Sequence, residues 1–262
     1  MSPRRGRSVT GPFPITSPAV RTVIVLPTYN ERENIVPFLR AARVATANLA
    51  SSVNVLVIDD NSPDGTAELA RSVGAELGHV EVIVRPGKDG LGSAYRAGFR
   101  RALDDGYDVI ISMDADMSHD PAVIPEMLRL IEGGADAVIG SRYVPGGGTT
   151  DWPIRRQLLS KWGNTYTRRA LRLTPRDCTS GYRAYRSDVL TAIDPSSTAA
   201  EGYAFLTELV RRLTRQGYSI AETPIVFRDR MKGKSKMSGR IIVEAMLLVT
   251  KWAATDLVRR RR

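Results

Sequence analysis

Asp114-Ala115-Asp116 sets two carboxylates on either side of one small residue, a spacing at which both can converge on a single hard cation. Mg²⁺ or Mn²⁺ takes one or two carboxylates and completes its shell with water and substrate phosphates. A second acidic pair, Asp59-Asp60, opens the run Asn61-Ser62-Pro63-Asp64-Gly65-Thr66, and a third polar cluster is Pro27-Thr28-Tyr29-Asn30-Glu31. Asn30, Asp64 and Thr66 read as helix caps and turn formers, but capping does not explain acidic pairs in two such runs. The cations fall elsewhere. Arg142 stands alone, Arg155 and Arg156 precede Ser160, and the loop Arg228–Lys236 is rich in Arg and Lys with Gly233 to permit movement. Arg156 and Ser160, at i and i+4 of a helix, share a face and can touch one phosphate.

These residues need a scaffold that brings separate segments to one edge. Apolar, β-branched runs at Thr22–Leu26, Val53–Ile58, Val80–Val84, Val109–Met113 and Ala137–Gly140 predict strands buried on both faces. Between them Glu31–Thr46, Thr66–Leu77, Gly92–Leu103 and Pro121–Ile131 predict helices. Strand then helix, repeated, implies an α/β fold with a mostly parallel central sheet and helices on both faces. Ligands of such sheets collect beyond the carboxyl ends of the strands, which is where the three acidic or polar clusters lie. The second half predicts a Gly-rich loop at Gly146–Gly148, helices about Arg156–Leu171 and Tyr203–Gln216, a strand about Ile220–Phe227, and an apolar helix from about Arg240.

The chain has 262 residues and a formal charge of +10, which favours an anionic partner. Residues 1–20 read as a disordered basic tail, because Arg4-Arg5 is not followed by an apolar export segment. Residues 21–238 read as the catalytic domain and 239–262 as a C-terminal apolar helix with a basic end. That helix is broken by Glu244, Thr250 and Lys251, so it is too interrupted to span a bilayer. It can pack on its own domain, or lie on a membrane surface with Trp252 at headgroup level and Arg259–Arg262 on anionic lipid. Cys178 is the one cysteine, so no internal disulfide forms and a cytoplasmic location is expected. A basic face without interleaved aromatics argues against nucleic acid. Lys234-Ser235-Lys236-Met237-Ser238 lacks the partner motif of the tRNA synthetase loop it faintly resembles, and no GxxxxGKS/T phosphate loop is present.

Six segments in order resemble the inverting family 2 glycosyltransferases, most closely the polyprenyl-phosphate (dolichol-phosphate) mannose synthases. They are PTYNERENI at Pro27–Ile35, IDDNSPDGT at Ile58–Thr66, DADMSHDP at Asp114–Pro121, GSRY at Gly140–Tyr143, DCTSGYR at Asp177–Arg183 and FRDRMKGKSK at Phe227–Lys236. The resemblance implies a GT-A-type nucleotide-binding fold, with Pro27, Tyr29 and Glu31 holding the nucleotide and Ile58 and Asp60 reading its base. Asp114, Ala115 and Asp116 would lie along ribose and diphosphate, and Arg142, Arg230 and Lys236 would also meet the sugar nucleotide. Mg²⁺ or Mn²⁺ would sit on Asp116 and Ser118; some relatives carry Gln at the latter position, and a neutral hydroxyl is a weak ligand. Arg142, Arg156 and Ser160 would receive the acceptor phosphate.

The implied reaction moves mannose from GDP-mannose to polyprenyl monophosphate at the cytoplasmic face of a membrane, reached directly or through an integral-membrane partner. Only two histidines, His79 and His119, are present, and the chemistry tolerates that. A phosphate monoester, with a second pKa near ~6, is already an anionic nucleophile and needs no general base. Asp116, Arg142 and Arg156 are the expected catalytic residues. Rival readings are glucosyl or aminosugar transfer to the same acceptor, hexosyl transfer to a hydroxyl, a nucleotidyltransferase, and a non-catalytic basic adaptor.

Overall fold

Four of the five apolar runs of the first half form strands covered on both sides, whereas Val80–Val84, at the edge of the sheet, is only partly buried. In the computed structural model the described residues are 20–198, 200, 202–228 and 239–260. β1 (Arg21–Thr28), β2 (Ser52–Asp59), β3 (Val80–Val84) and β4 (Val109–Ser112) are each followed by a helical segment, whereas β5 (Ala137–Ser141) is followed first by a two-residue strand. The four helices are α1 (Arg32–Thr46), α2 (Thr66–Leu77), α3 (Leu91–Asp104) and α4 (Ile124–Glu132). The seven-stranded sheet runs β3-β2-β1-β4-β7-β5-β8, where β7 is Arg183–Arg186 and β8 is Ile220–Pro224. Neighbours pair in parallel except β7, which is antiparallel to both β4 and β5.

Strand β7 has no counterpart in the periodicity reading, because its sequence, Arg-Ala-Tyr-Arg, carries charge into the middle of the sheet. Arg183 is fully buried. Its guanidinium donates to the carbonyls of Ser180 (2.7 Å), Leu206 (2.6 Å) and Cys178 (3.0 Å), so the buried charge is hydrogen-bonded throughout. The strand expected over Ile220–Phe227 is also two strands. Pro224 ends β8, and β9 (Val226–Phe227) leaves the sheet to pair with β6 (Gly148–Thr149) in a separate two-stranded ribbon. That departure carries Phe227 toward the candidate site.

Alternate residues of β1 feed opposite cores. Ile24 and Leu26 pack with Ile35, Phe38 and Met127 on the side of α1, α2 and α4. Val23 and Val25 pack with Ile58, Tyr95, Phe99 and Phe205 on the side of α3, α6 (Ser187–Ile193) and α7 (Gly202–Gln216). At Gly98, α3 comes so near the sheet that a Cβ would lie 2.3 Å from Val25 Cγ1.

A third cluster of Leu171, Cys178, Val210 and Val249 joins α7 to α5 (Ile154–Leu171) and α8 (Gly239–Arg260). Trp252, expected at headgroup level if α8 lay on a membrane, instead packs against this cluster, with Arg211 5.5 Å above its ring. The same Arg211 pairs with Asp256, and the Tyr166 hydroxyl meets Thr250 Oγ1 at 2.7 Å. Among the described residues, no helix is long and apolar enough to cross a membrane. The tail through residue 19, Arg230, Lys236, Arg261 and Arg262 lie outside the described residues.

Candidate active site

Parallel register sets the ends of β1 and β2 side by side, Pro27 opposite Ile58 and Thr28 opposite Asp59. Asp59 is consumed structurally: its carboxylate accepts from Thr28 Oγ1 (2.7 Å), Ser62 N (2.8 Å) and Ser62 Oγ (2.7 Å). Asp60 turns the other way and pairs with Arg85 at 2.7 Å. Burial raises the Asp60 carboxyl above its ordinary range against the opposing pull of that guanidinium. Tyr29 has Lys88 4.3 Å above its ring, and the backbone N–H of Glu31 donates to Thr66 Oγ1 at 3.0 Å. Asp64 accepts from the backbone N–H of Arg32 (3.1 Å) and from the backbone N–H (3.0 Å) and hydroxyl (2.6 Å) of Thr66, so it supports the starts of both α1 and α2. The Ile58 side chain is fully buried under α3, and that of Ala115 is buried in the opposite core, so both can face a ligand only through their main chains.

Beyond β4, the chain turns sharply, with Met117 at φ 62°. The turn is locked from inside. The Asp116 carboxylate accepts from Ser118 N at 3.1 Å, and the Asp114 backbone N–H donates to His119 Nδ1 at 3.2 Å. Tyr95 of α3 donates to Asp114 Oδ1 at 3.3 Å. Burial pushes the His119 imidazole down to about 4, so the ring is neutral at physiological pH, and with Nδ1 accepting, its proton is on Nε2. A group so acidic is a poor base at neutrality.

The cationic half forms around Arg142, just past β5. Its Nε and Nη2 donate to the two carboxylate oxygens of Asp177 at 2.7 and 2.9 Å, and Nη2 reaches Thr179 Oγ1 at 2.7 Å. Asp177 also accepts from the backbone N–H groups of Arg142, Thr179 and Ser180, each at 3.1 Å. Burial works against this carboxylate, yet Arg142 and those donors hold it below the usual range. Aromatic rings surround the guanidinium: Tyr143 at 5.2 Å, Phe227 at 5.8 Å and Trp152 at 6.0 Å. The Arg156 guanidinium lies 3.9 Å above the same Trp152 ring, and Ser160 Oγ is 2.8 Å from the Tyr143 hydroxyl. Arg142, Arg156 and Ser160 are thereby gathered, although they come from two elements.

Phe227 joins the two halves, its ring 5.4 Å from both His119 and Trp152. The Arg228 N–H donates to Ser118 O at 3.3 Å, tying the strand that begins the Arg- and Lys-rich loop to the Asp116 turn. Sequence reasoning had no role for Asp177, Trp152, Phe227, Arg85 or Tyr95. Asp177 and Phe227 each stood inside a recognised motif, which was the available signal; Trp152, Arg85 and Tyr95 are defined only by packing.

A divalent ion would fit beside Asp116. Ser118 Oγ is buried beside Asp116 and has no hydrogen-bond partner, as a hydroxyl reserved for a ligand would. Among the described residues no three His, Cys, Asp or Glu side chains cluster to cage a metal. An ion here would take Asp116 and Ser118 from the protein and the rest of its shell from phosphate and water, the habit of Mg²⁺ and Mn²⁺.

Residues 23–193 match the model of glycosyl transferase family 2. The polyprenol monophosphomannose synthase of Mycolicibacterium smegmatis is 47% identical over 246 residues, covering 94% of this chain and 91% of that one. The undecaprenyl-phosphate mannosyltransferase of Micrococcus luteus is 46% identical over 233 residues, 89% of this chain and 94% of that one. Among solved structures, glucosyl-3-phosphoglycerate synthase from Mycobacterium tuberculosis with Mg²⁺ and UDP matches at TM-score 0.64 and 19% identity, over 89% of this chain and 80% of that one. A likeness at that identity speaks for the GT-A fold alone. The family model and the two relatives, matched along most of their lengths, establish this chain as a glycosyltransferase of family 2.

Proposed function

We propose that the enzyme transfers mannose from GDP-mannose to a polyprenyl monophosphate with inversion at the anomeric carbon, using Mg²⁺ or Mn²⁺, at the cytoplasmic face of a membrane. The two nearly half-identical relatives, a polyprenol monophosphomannose synthase and an undecaprenyl-phosphate mannosyltransferase, support the sugar and the acceptor class. The observation that carries the reading is the meeting of an acidic turn and a cationic patch across Phe227. A site of that kind suits an acceptor that arrives already ionised.

On the donor side, Tyr29, Glu31 and Asp60, with the main chain at Pro27 and Ile58, hold the nucleoside. Asp114 and Ala115 line the ribose and diphosphate, Asp116 and Ser118 hold the ion, and Arg142, Arg230 and Lys236 meet the leaving diphosphate. A bound divalent ion would neutralise charge gathering on that leaving group. On the acceptor side, Arg142 is aimed by Asp177, Arg156 is propped on Trp152, and Ser160 donates from the next turn. These groups offset the repulsion between two phosphates and hold them in line. One acceptor phosphate oxygen then forms its bond to C1 as the bond from C1 to the diphosphate oxygen breaks, and the electron pair leaves with GDP. Attack from the opposite face converts an α-linked donor into a β-linked mannosyl phosphate.

Purified protein incubated with radiolabelled GDP-mannose, Mg²⁺ and polyprenyl phosphate tests this. A chloroform-soluble, mild-acid-labile product is expected. Label transferred only from UDP-glucose or a UDP-aminosugar would replace the donor assignment, transfer to a hydroxyl acceptor would replace the acceptor, and release of pyrophosphate would make the protein a nucleotidyltransferase.

A further inference from the structure

Tyr95 of α3 is fully buried in an apolar and aromatic cluster, where a phenylalanine would fill the same space. Its ring stacks on Phe99 at 5.6 Å and lies nearly parallel to Phe205 at 6.2 Å, which fixes its place. A buried hydroxyl costs free energy unless it is hydrogen-bonded, and this one donates to Asp114 Oδ1 at 3.3 Å. Burial, and after it the Asp114 charge, pushes the phenol well above its ordinary value, so it remains a donor at every physiological pH. The separation is long for a hydroxyl on a carboxylate, and bonds of this kind commonly tighten once substrate is bound.

Other contacts bear on the same residue. The Asp114 backbone N–H donates to His119 Nδ1 at 3.2 Å. A Cβ at Gly181 would stand 3.7 Å from both Asp114 Oδ1 and His119 Cε1, so the loop before β7 lies against the same carboxylate. The imidazole thus sets the main chain of Asp114 and the phenol its side chain. Asp116 accepts instead from Ser118 N, so α3 bears on one carboxylate of the turn and the turn itself on the other. Asp114 is half-buried. The phenol reaches it from the core, and its exposed part lies beyond the carboxyl end of β4, where ligands of a parallel sheet collect.

We infer that Tyr95 is a positioning residue for the donor, fixing the rotation of the Asp114 carboxylate so that it accepts from a ribose hydroxyl of the nucleotide. The inference rests on the proposed place of Asp114 along the ribose; it adds what aims that carboxylate and what the pair selects. An ionised carboxylate can only accept, and a ribose hydroxyl supplies the donor that a deoxyribose lacks. The pair therefore favours ribonucleotides over deoxyribonucleotides. The phenol does not touch the substrate and acts only through Asp114.

The test reads binding of nucleoside diphosphates to the full chain by isothermal titration calorimetry, with Mg²⁺ and without acceptor, so that turnover is not needed. Wild type should bind GDP about tenfold more tightly than at least one of 2′-deoxy-GDP and 3′-deoxy-GDP, the loss expected for one hydrogen bond to a charged group. Tyr95→Phe keeps the stacked ring and removes the hydroxyl. Its preference for GDP should shrink to within about threefold, through weaker GDP binding at an unchanged affinity for the deoxy analogue. In an Asp114→Ala background the same substitution should alter neither affinity by more than about twofold, because the phenol has nothing left to aim. A merely structural tyrosine would move the melting temperature and leave the ratio alone. Wild-type discrimination in Tyr95→Phe would overturn the inference, as would equal binding of GDP and both deoxy analogues by wild type. Tighter binding of UDP than of GDP would replace the donor in the proposed function, and the ratio of UDP to its deoxy analogues would then decide Tyr95 by the same criteria.

Discussion

Replacing Asp177 with Ala removes the partner of Arg142 and tests whether the cationic half of the site is built around that pair. The side chains are 0% and 9% exposed, and the bond is bidentate, so solvent screening is slight. Removing one member of a buried ion pair costs about 3–5 kcal/mol, because the remaining charge stays buried without compensation. For a domain of this size that corresponds to a melting temperature about 6–20 °C lower. The deficit has a pH signature. The Asp177 carboxyl is held below its ordinary value of 3.8 in the folded protein, so the unfolded chain binds its proton first as pH falls. Its stabilising contribution is therefore complete above that value and disappears as pH drops through the lower, folded-state pKa. The gap between wild type and Asp177→Ala, followed by circular dichroism or differential scanning calorimetry, should be flat from pH 8 to 5 and close only below about 4. Under saturating donor, the variant's KM for polyprenyl phosphate should rise. A melting temperature within 2 °C of wild type, or a gap that already closes near neutrality, would refute the reasoning.

Asp116→Ala should abolish turnover and leave the melting temperature nearly unchanged, measured by radiolabel transfer and thermal unfolding; activity within tenfold of wild type would remove Asp116 from the ion site. Arg156→Ala should raise the acceptor KM or lower kcat far more than it alters donor binding, and equal effects on both substrates would contradict its assignment. Gly98→Ala forces a methyl to 2.3 Å from Val25 Cγ1. It should cost about 1–3 kcal/mol in chemical denaturation despite alanine's better helix propensity, and an unchanged midpoint would mean that α3 stands farther from the sheet.

The first half of the fold was legible because one physical rule covers it. A strand buried on both faces must be apolar along its whole length, and Thr22–Leu26 or Val53–Ile58 can hardly be anything else. The acidic turn after β4 was legible for a related reason, since parallel sheets place their ligands at one edge and Asp114-Ala115-Asp116 follows directly on a strand. Strand β7 escaped because the buried Arg183 is solvated by three carbonyls, one of them from Leu206 on a distant helix, a compensation no strand pattern carries. The break at Pro224 was present in the letters, but its consequence, Phe227 bridging His119 and Trp152, was not.

Residue type and spacing settled which groups could meet phosphate and a divalent ion, because charge and coordination preference belong to single side chains and their near neighbours. Folding settled which of those groups are committed elsewhere. Asp59 disappears into a hydrogen-bonded turn, and Arg142 is gripped by Asp177 from 35 residues away. Partnership and orientation of this kind depend on which distant residues are brought within a few ångströms, and that is a property of the packed chain.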